Sequence, residues 1–574
     1  MIGSALPGGT SRAEQGSQQG RRQRASGAGV QTIRFEWFAF TFGRMSEDTQ
    51  RADLVRAAEV IGSLCLATDL GTGFPFEHGL RTTVVAARLA ATLAVDPETA
   101  SQTYYASLLS HSGCTTDAHV TAEIFGGSLT THLFPVWNAS RREVFTGIVR
   151  ALPAPETKGP ARAVEIARRL PKAAREQRPH FAAMCEVAEM LAEGVGLPSS
   201  LRNLFDHLTE RWDGKGPLSR AEGDAIPLPI RIVHVAADAT LHRLLGDDEH
   251  VVRAVRDRAG HGLDPEIAAC LAADAEEILA IQEEASVWDE TFACEPQPHL
   301  TLEDEGIERA LSSMGNFTDL LSPYLTGHST GVADLAAEAA RHCRLDPDEI
   351  TAIKRAALVH DLGRVAVGAG TWQKPGPLSA DEWEHVRLHP YHTERVLSRS
   401  RFLEALAPVA GAHHERLDRS GYHRGAAGAE LTTPARLLAA ADVYHALTEP
   451  RPHRPAFTVE EAARILADEA QAERLDTEAV GAVIEAAGLP APRLDRPAGL
   501  TEREAEVVGL LARGLQTKQV ARALGISVKT ADRHIQNAYG KLGVSTRAAA
   551  TLFAMEHGLI AWGELPIARP QAGS

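Results

Sequence analysis

Seven side chains between positions 328 and 442 are of types that bind metal ions: His328, His360, Asp361, His389, His413, His414 and Asp442. Imidazole suits iron, manganese, zinc or nickel, and a carboxylate is able to bridge two cations. Five imidazoles and two carboxylates therefore fit a pair of divalent or iron-type ions. Such a pair serves the hydrolysis of phosphate esters, because it lowers the pKa of a bound water towards about 7 and clamps the phosphoryl oxygens. Single buried histidines are ordinarily core residues, and His385, His423, His445 and His453 read that way. Asp442 is different: it lies inside the apolar run LLAAADVYHAL, where an unpaired carboxylate is costly to bury, and this favours a cation partner.

Helices must position these groups. The apolar run AALVHDLG (356–363) ends on His360-Asp361, His328 opens a helix after Thr326-Gly327, and His389 stands before Pro390, where a helix should begin. Composition agrees: Ala, Leu, Glu and Arg dominate and aromatics reach only 5%, a balance that favours helix over sheet. The chain reads as all-α. Its 574 residues are too many for one core and suggest three or so domains.

The formal charge of −16 argues against a chain that coats nucleic acid or anionic membrane along its length. Six cysteines are scattered without a CxxC pair, as in a reducing cytosol. No apolar run approaches the roughly 20 residues of a membrane helix. These features predict a cytoplasmic protein.

Residues 1–44 are rich in Gly, Ser, Gln and Arg and are expected to be disordered. Met45 then opens an amphipathic helix and reads as the natural start. Two similar halves follow, 45–293 and 301–488, separated by the break CEPQPHL at 294–300. HGLRTTVVAARLA begins at His78 and HSTGVADLAAEAA at His328, while ASLLSHSG ends at Gly113 and AALVHDLG at Gly363, both 250 residues apart. Glu210 and Glu415 begin ERWDGKGP and ERLDRSGY, and Arg231 and Arg436 begin two further matching blocks, both 205 apart. One fold therefore occurs twice, with about 45 extra residues in the first copy near 150–180. In that copy the pair reads Ser110-His111, the positions facing His413-His414 are Leu208-Thr209, and His78 and Asp238 keep ligand-type side chains. This set predicts a metal-free copy, acting either as a structural partner or as a sensory pocket for a nucleotide or other effector.

The blocks HDLGR at His360, HP at His389, HHERLDRSGYH at His413 and RLLAAADVYHALTEPRPHRPA at Arg436 resemble the HD superfamily of metal-dependent phosphohydrolases, specifically its HD-GYP branch, over roughly 318–485. The resemblance implies an all-α fold around two iron or manganese ions and cleavage of cyclic di-GMP. It implies His328, His360, Asp361, His389, His413, His414 and Asp442 as metal ligands, and Asp361 and Arg364 as catalytic. Arg364 replaces the family's lysine, keeps the charge and contacts phosphate bidentately, but does not give up a proton. The signature glycine-tyrosine-proline reads Gly421-Tyr422-His423, and Arg419 follows Asp418 where glycine is expected. Tyr324 occupies the place of a third-metal glutamate, so two ions are expected and not three.

Residues 489–499 form a Pro-rich linker. Beyond it, Thr501 and Glu504 make a capping box, a short helix spans Thr517 to Leu524, and Ser527 caps a longer, basic helix, the helix-turn-helix order. Over 500–560, eight Lys and Arg stand against five acids, the sign a DNA-facing module needs. The segment 500–562 resembles the four-helix LuxR-type DNA-binding domain. That resemblance implies Lys518, Lys529, Thr530, Arg533, His534 and Asn537 as contacts to double-stranded DNA, and the last helix, 545–556, as a homodimer surface. The expected whole is a transcription regulator carrying a phosphodiesterase that acts on a cyclic dinucleotide or other nucleotide. The alternative is a catalytically inactive HD-type ligand sensor controlling the same DNA-binding domain.

Overall fold

A computed structural model describes residues 55–115, 138–153, 157–280, 286–490, 497–557 and 559–560. The expectations for 1–44, for Met45 and for most of the linker fall outside these residues. The described chain is helical apart from one two-residue antiparallel pair, β1 (Val55–Arg56) with β2 (Thr301–Leu302). The helix expected from Met45 begins, among the described residues, only at Ala57, because Val55 and Arg56 take extended backbone to pair with the start of the second half.

In the first half the framing helices are α1 (Ala57–Thr72), α2 (His78–Thr92), α3 (Pro97–Leu109), α4 (Pro160–Gly194) and α5 (Leu228–Arg243). In the second they are α6 (Asp304–Asp319), α7 (His328–His342), α8 (Pro347–Leu358), α9 (Ala380–Arg387), α10 (His389–Leu397), α11 (Thr433–Thr448), α12 (Val459–Gln471) and α13 (Thr477–Ala486). Shorter helices join them.

The repeat is visible in its local chemistry. Asp96 caps α3 and Asp346 caps α8, each followed by proline at the first helical position, where a missing N–H costs nothing. At the other end of the unit, Asp69 of α1 accepts from the Gly79 amide at 3.1 Å and Asp319 of α6 accepts from the Ser329 amide at 3.1 Å. Each buried carboxylate satisfies an orphan N–H at a helix start and so fixes the helix that opens on His78 or His328. Burial pushes both carboxyls above their ordinary range.

A single apolar core runs through both halves, joining Leu64, Tyr104 and Phe205 to Leu311, Leu358, Leu438 and Val480. The stretch 294–300, which reads as a break, contributes to that junction. Glu295 is buried and accepts from the Tyr105 hydroxyl at 2.6 Å and from Arg56 Nε at 2.8 Å. A smaller core of Val85, Leu89, Ile232, Val255 and Leu271 belongs to the first half alone.

Glu295→Ala leaves a buried hydroxyl and a guanidinium without their acceptor, a loss of about 2–3 kcal/mol for a charge-assisted bond. The expected outcome is a lower thermal unfolding midpoint, with metal content per folded chain unchanged.

Candidate metal centre and nucleic-acid interface

All seven predicted ligand residues of the second half come to one place, six delivered at or beside helix ends and Asp442 from the interior of α11. His328, His360, Asp361, His389, His413 and Asp442 are at most 2% exposed, and His414 lies at the edge. Asp361 is central. Its Oδ2 lies 3.0 Å from His360 Nε2 and 3.4 Å from His328 Nε2, and its Oδ1 lies 3.3 Å from the Nε2 atoms of both His389 and His413. Asp442 Oδ1 is 3.2 Å from His328 Nε2, and Asp442 Oδ2 is 3.7 Å from His414 Nδ1. Two groups result, His328–His360–Asp361 and His389–His413–His414, each with one ligand atom per residue close enough for one ion, and Asp361 offers a different oxygen to each.

The outer ring nitrogens decide what the inner ones are. His360, His389 and His413 each direct Nδ1 to the carbonyl three residues earlier, on Ala357, Val386 and Ala410, at 2.6 Å. A carbonyl only accepts, so these Nδ1 atoms carry hydrogen, and in the neutral rings Nε2 presents a lone pair. The three carbonyls lie in the last turns of helices, where they lack helical partners. His389 Nε2 and His413 Nε2 are 3.0 Å apart, two acceptors face to face. His328 Nε2, His360 Nε2, Asp361 Oδ1 and Asp442 Oδ1 are buried without a hydrogen-bond partner among the described residues. This donor set fits a cation pair, since buried lone pairs and carboxylates are otherwise strongly destabilising. In the metal-free protein, burial acts to lower the His328 and His360 pKa values. The facing carboxylates override it, raising His328 to about 10 and His360 to about 9. Protons then stand where cations would. On the other side burial holds His413 down to about 4.

Arg364 is buried, places Nη1 2.6 Å from Asp361 Oδ2, and lies over the Trp372 ring with 5.3 Å to its centroid. Sequence reasoning missed Trp372 and also Trp383, an exposed ring edge-on to Tyr422, which itself packs on His414 at 4.4 Å. It missed Glu449 as well, whose carboxylate accepts from His328 Nδ1 at 2.9 Å. Glu449 stands two helical turns beyond Asp442, a spacing legible in sequence, though which ring nitrogen it meets is not. His445, read as a core residue, is partly exposed and faces Glu449 at 3.3 Å.

The first copy keeps the frame with other contents. A Cβ on Gly363 would sit 2.0 Å from the His389 carbonyl oxygen, and one on Gly113 would sit 2.2 Å from that of Met184. Met184 thus occupies the place of His389, 205 residues earlier. The same offset puts Ala237 opposite Asp442. Asp238, expected to keep a ligand position, lies one residue further on, where the buried Arg258 guanidinium pairs with it. His78 stacks on Phe74 with ring centroids 4.3 Å apart and faces His111 at 5.8 Å. Burial lowers His78 to about 3 and His111 to about 4.

In the C-terminal module four helices follow the predicted order: α14 (Glu502–Ala512), α15 (Thr517–Ala523), α16 (Val528–Leu542) and α17 (Arg547–Glu556). Thr501 and Glu504 form the capping box, and Ser527 caps α16 by accepting from the Thr530 amide at 3.0 Å. Ala531, Ile535 and Ala538 are buried. Lys529, Thr530, Arg533 and Asn537 are exposed on α16, His534 is half-buried beside them, and Lys518 is exposed on α15.

Residues 314–479 match the HD domain family, and residues 498–554 match the luxR family of bacterial regulatory proteins. The chain thus carries a segment that matches the HD domain, with homology to HD-GYP-type cyclic dinucleotide phosphodiesterases, followed by a LuxR-family segment. It is similar to the 3'3'-cGAMP-specific phosphodiesterase 3 of Vibrio cholerae, 27% identical over 416 residues that cover 71% of this chain and 90% of that protein. It is also similar to the cyclic di-GMP phosphodiesterase response regulator RpfG of Xanthomonas campestris, 39% identical over 133 residues that cover 23% of this chain and 34% of that one. A crystal structure of a cyclic GMP-AMP specific phosphodiesterase from Vibrio cholerae shares the fold, with a TM-score of 0.51 at 24% identity, over 76% of this chain and 98% of that chain. No described helix is long and apolar enough to cross a membrane.

Because the backbone carrying His389 rests on Gly363, Gly363→Ala forces the two apart. Overpacking of this kind costs about 1–3 kcal/mol. The expected outcome is a lower unfolding midpoint together with reduced metal content in the fraction that remains folded.

Proposed function

We propose that the second half hydrolyses a phosphodiester bond of a cyclic dinucleotide or related nucleotide in a metal-dependent reaction, and that the LuxR-family domain ties this activity to double-stranded DNA. The observation that carries the reading is the Asp361 carboxylate, with one oxygen turned to each of two imidazole groups. His328, His360, Asp361 and Asp442 on one side and Asp361, His389, His413 and His414 on the other would hold two divalent or iron-type ions, Fe or Mn, which when bound would supply an acidified water and electrostatic stabilisation of the phosphoryl oxygens.

The chain's own residues do the rest. Asp361 sets the spacing between the two groups through its two oxygens. Arg364 is already desolvated against Trp372, so its planar fork can meet phosphoryl oxygens with little further ordering. It stabilises negative charge there but does not deliver a proton, and Asp361 holds it towards the centre. Trp383 and Tyr422 offer aromatic faces beside His414 for a nucleobase, which stacks on such rings. On α16, Lys529, Thr530, Arg533, His534 and Asn537, with Lys518 on α15, face outward to meet DNA. The homodimer expected of a cytoplasmic regulator of this kind would form through α17.

The second reading, a ligand sensor without turnover, draws on Arg364, which replaces a group able to transfer a proton. Incubation of the Mn- or Fe-loaded full chain with cyclic di-GMP, 3'3'-cGAMP and linear dinucleotides separates the two. Linear or mononucleotide products are expected from a cyclic substrate, and none from folded Asp361→Ala. Binding without turnover of any of them, in fully metal-loaded wild type, favours the sensor. For the DNA-binding module, Arg533→Ala is expected to weaken operator binding by about 1–3 kcal/mol, read by fluorescence anisotropy at fixed salt, and to leave metal content unchanged.

A further inference from the structure

The four histidines whose Nδ1 partners are clear do not share one way of being held. His360 and His413 stand just past helix C-terminal turns, and His389, although it opens α10, follows directly on the end of α9, so each finds a helix-end carbonyl three residues back. His328 opens α7. The free backbone groups at a helix N-terminus are N–H donors, and unlike His389, which follows directly on α9, His328 comes after the Thr326-Gly327 turn, and its Nδ1 meets no backbone carbonyl among the described residues. A side chain must supply the acceptor, and Glu449 does, at 2.9 Å.

Glu449 follows the last residue of α11, the helix that also carries Asp442. One helix therefore places a carboxylate on each side of the same imidazole, Asp442 facing Nε2 at 3.2 Å and Glu449 facing Nδ1. Glu449 is itself held. Arg451 Nη2 meets its Oε2 at 2.7 Å, His445 Nδ1 lies 3.3 Å from Oε1, and Arg454 donates to its carbonyl oxygen at 3.1 Å. Although His328, His445 and Glu449 are close enough to suggest an ion of their own, the Arg451 guanidinium already lies on Glu449, and a third cation there would meet that fixed charge. His328 also has its Nε2 committed to the centre. The cluster is a brace, not a further metal site.

We propose that Glu449 is a positioning residue for one ion of the pair: it fixes the tautomer and rotation of His328 and, being charged, makes the imidazole a stronger donor than a backbone carbonyl would. Outer carboxylates of this type typically change metal affinity about 10- to 100-fold. The effect falls on the His328 side, because no residue of the His389–His413–His414 group uses Glu449. The inference rests on the metal-centre reading above.

The test titrates metal-stripped full-length wild type, Glu449→Gln and Glu449→Ala with Mn²⁺ alone, counting bound ions and following the spin-coupled signal of a manganese pair by electron paramagnetic resonance. Wild type is expected to bind two ions. Glu449→Ala weakens one of them about 10- to 100-fold and leaves the other unchanged, so the coupled signal gives way to that of isolated Mn²⁺ at limiting metal. Glu449→Gln falls between, since an amide oxygen still accepts from Nδ1 but lacks the charge, and its near-identical shape keeps the experiment informative where alanine fails to fold. Two ions bound with wild-type affinity in folded Glu449 variants, whatever their melting temperature, would overturn the positioning role. Equal weakening of both ions would overturn its assignment to the His328 side. Absence of stoichiometric Mn²⁺ binding in wild type would instead remove the metal-centre reading, and the inference with it.

Discussion

Inside the second half, hydrogen-bond acceptors are packed against one another with too few donors to satisfy them. Three helix-end carbonyls claim the Nδ1 hydrogens of His360, His389 and His413, and what remains facing inward is lone pairs and carboxylate oxygens. Apolar helices wall the group off from water, so solvent cannot relieve the conflict. Only added positive charge can. Protons supply it in part, as the elevated His328 and His360 indicate. Arg364 supplies more by lying against Asp361. A pair of metal ions would answer the whole set at once, and that is the physical content of the seven-residue pattern.

The first half shows how far the frame is independent of this conflict. The buried aspartate that accepts from the start of the next helix is kept, as is the glycine that lets another backbone come close. The acceptors are not. Met184 and Ala237 replace a histidine and an aspartate, and Arg258 neutralises the carboxylate that does remain, Asp238. A covalent cation stands in for a free one, and the pocket becomes an ordinary buried ion pair. The two halves also share an apolar core and a pair of short strands, so the first copy stabilises the second whether or not it binds anything.

The LuxR-family module lies against the second half at the turn between α12 and α13. His557, just beyond α17, faces Glu473 at 3.4 Å, and a cavity of about 590 Å³ between the two is lined by Asp476, Glu506 and Arg513 among others. The candidate metal site and α16 thus lie in one compact unit.

Much of this is legible in the order of the residues alone. Their types and spacing name the seven residues that the structure brings together as candidate ligands, because imidazoles and carboxylates in quantity are conspicuous in apolar helices. Caps at Thr501 and Ser527 and the helix-turn-helix pattern are equally readable, since local hydrogen bonding determines them. Tertiary structure decided what depends on distance between elements. It set which oxygen of Asp361 faces which imidazoles, and which ring nitrogen turns inward. It paired Asp238 with Arg258, whose sequence separation hides the contact. It also brought Glu449 to His328, 121 residues away: no helix ends directly before His328 to offer a carbonyl, as α9 does before His389, and the packing of α11 against α7 brings the acceptor from elsewhere.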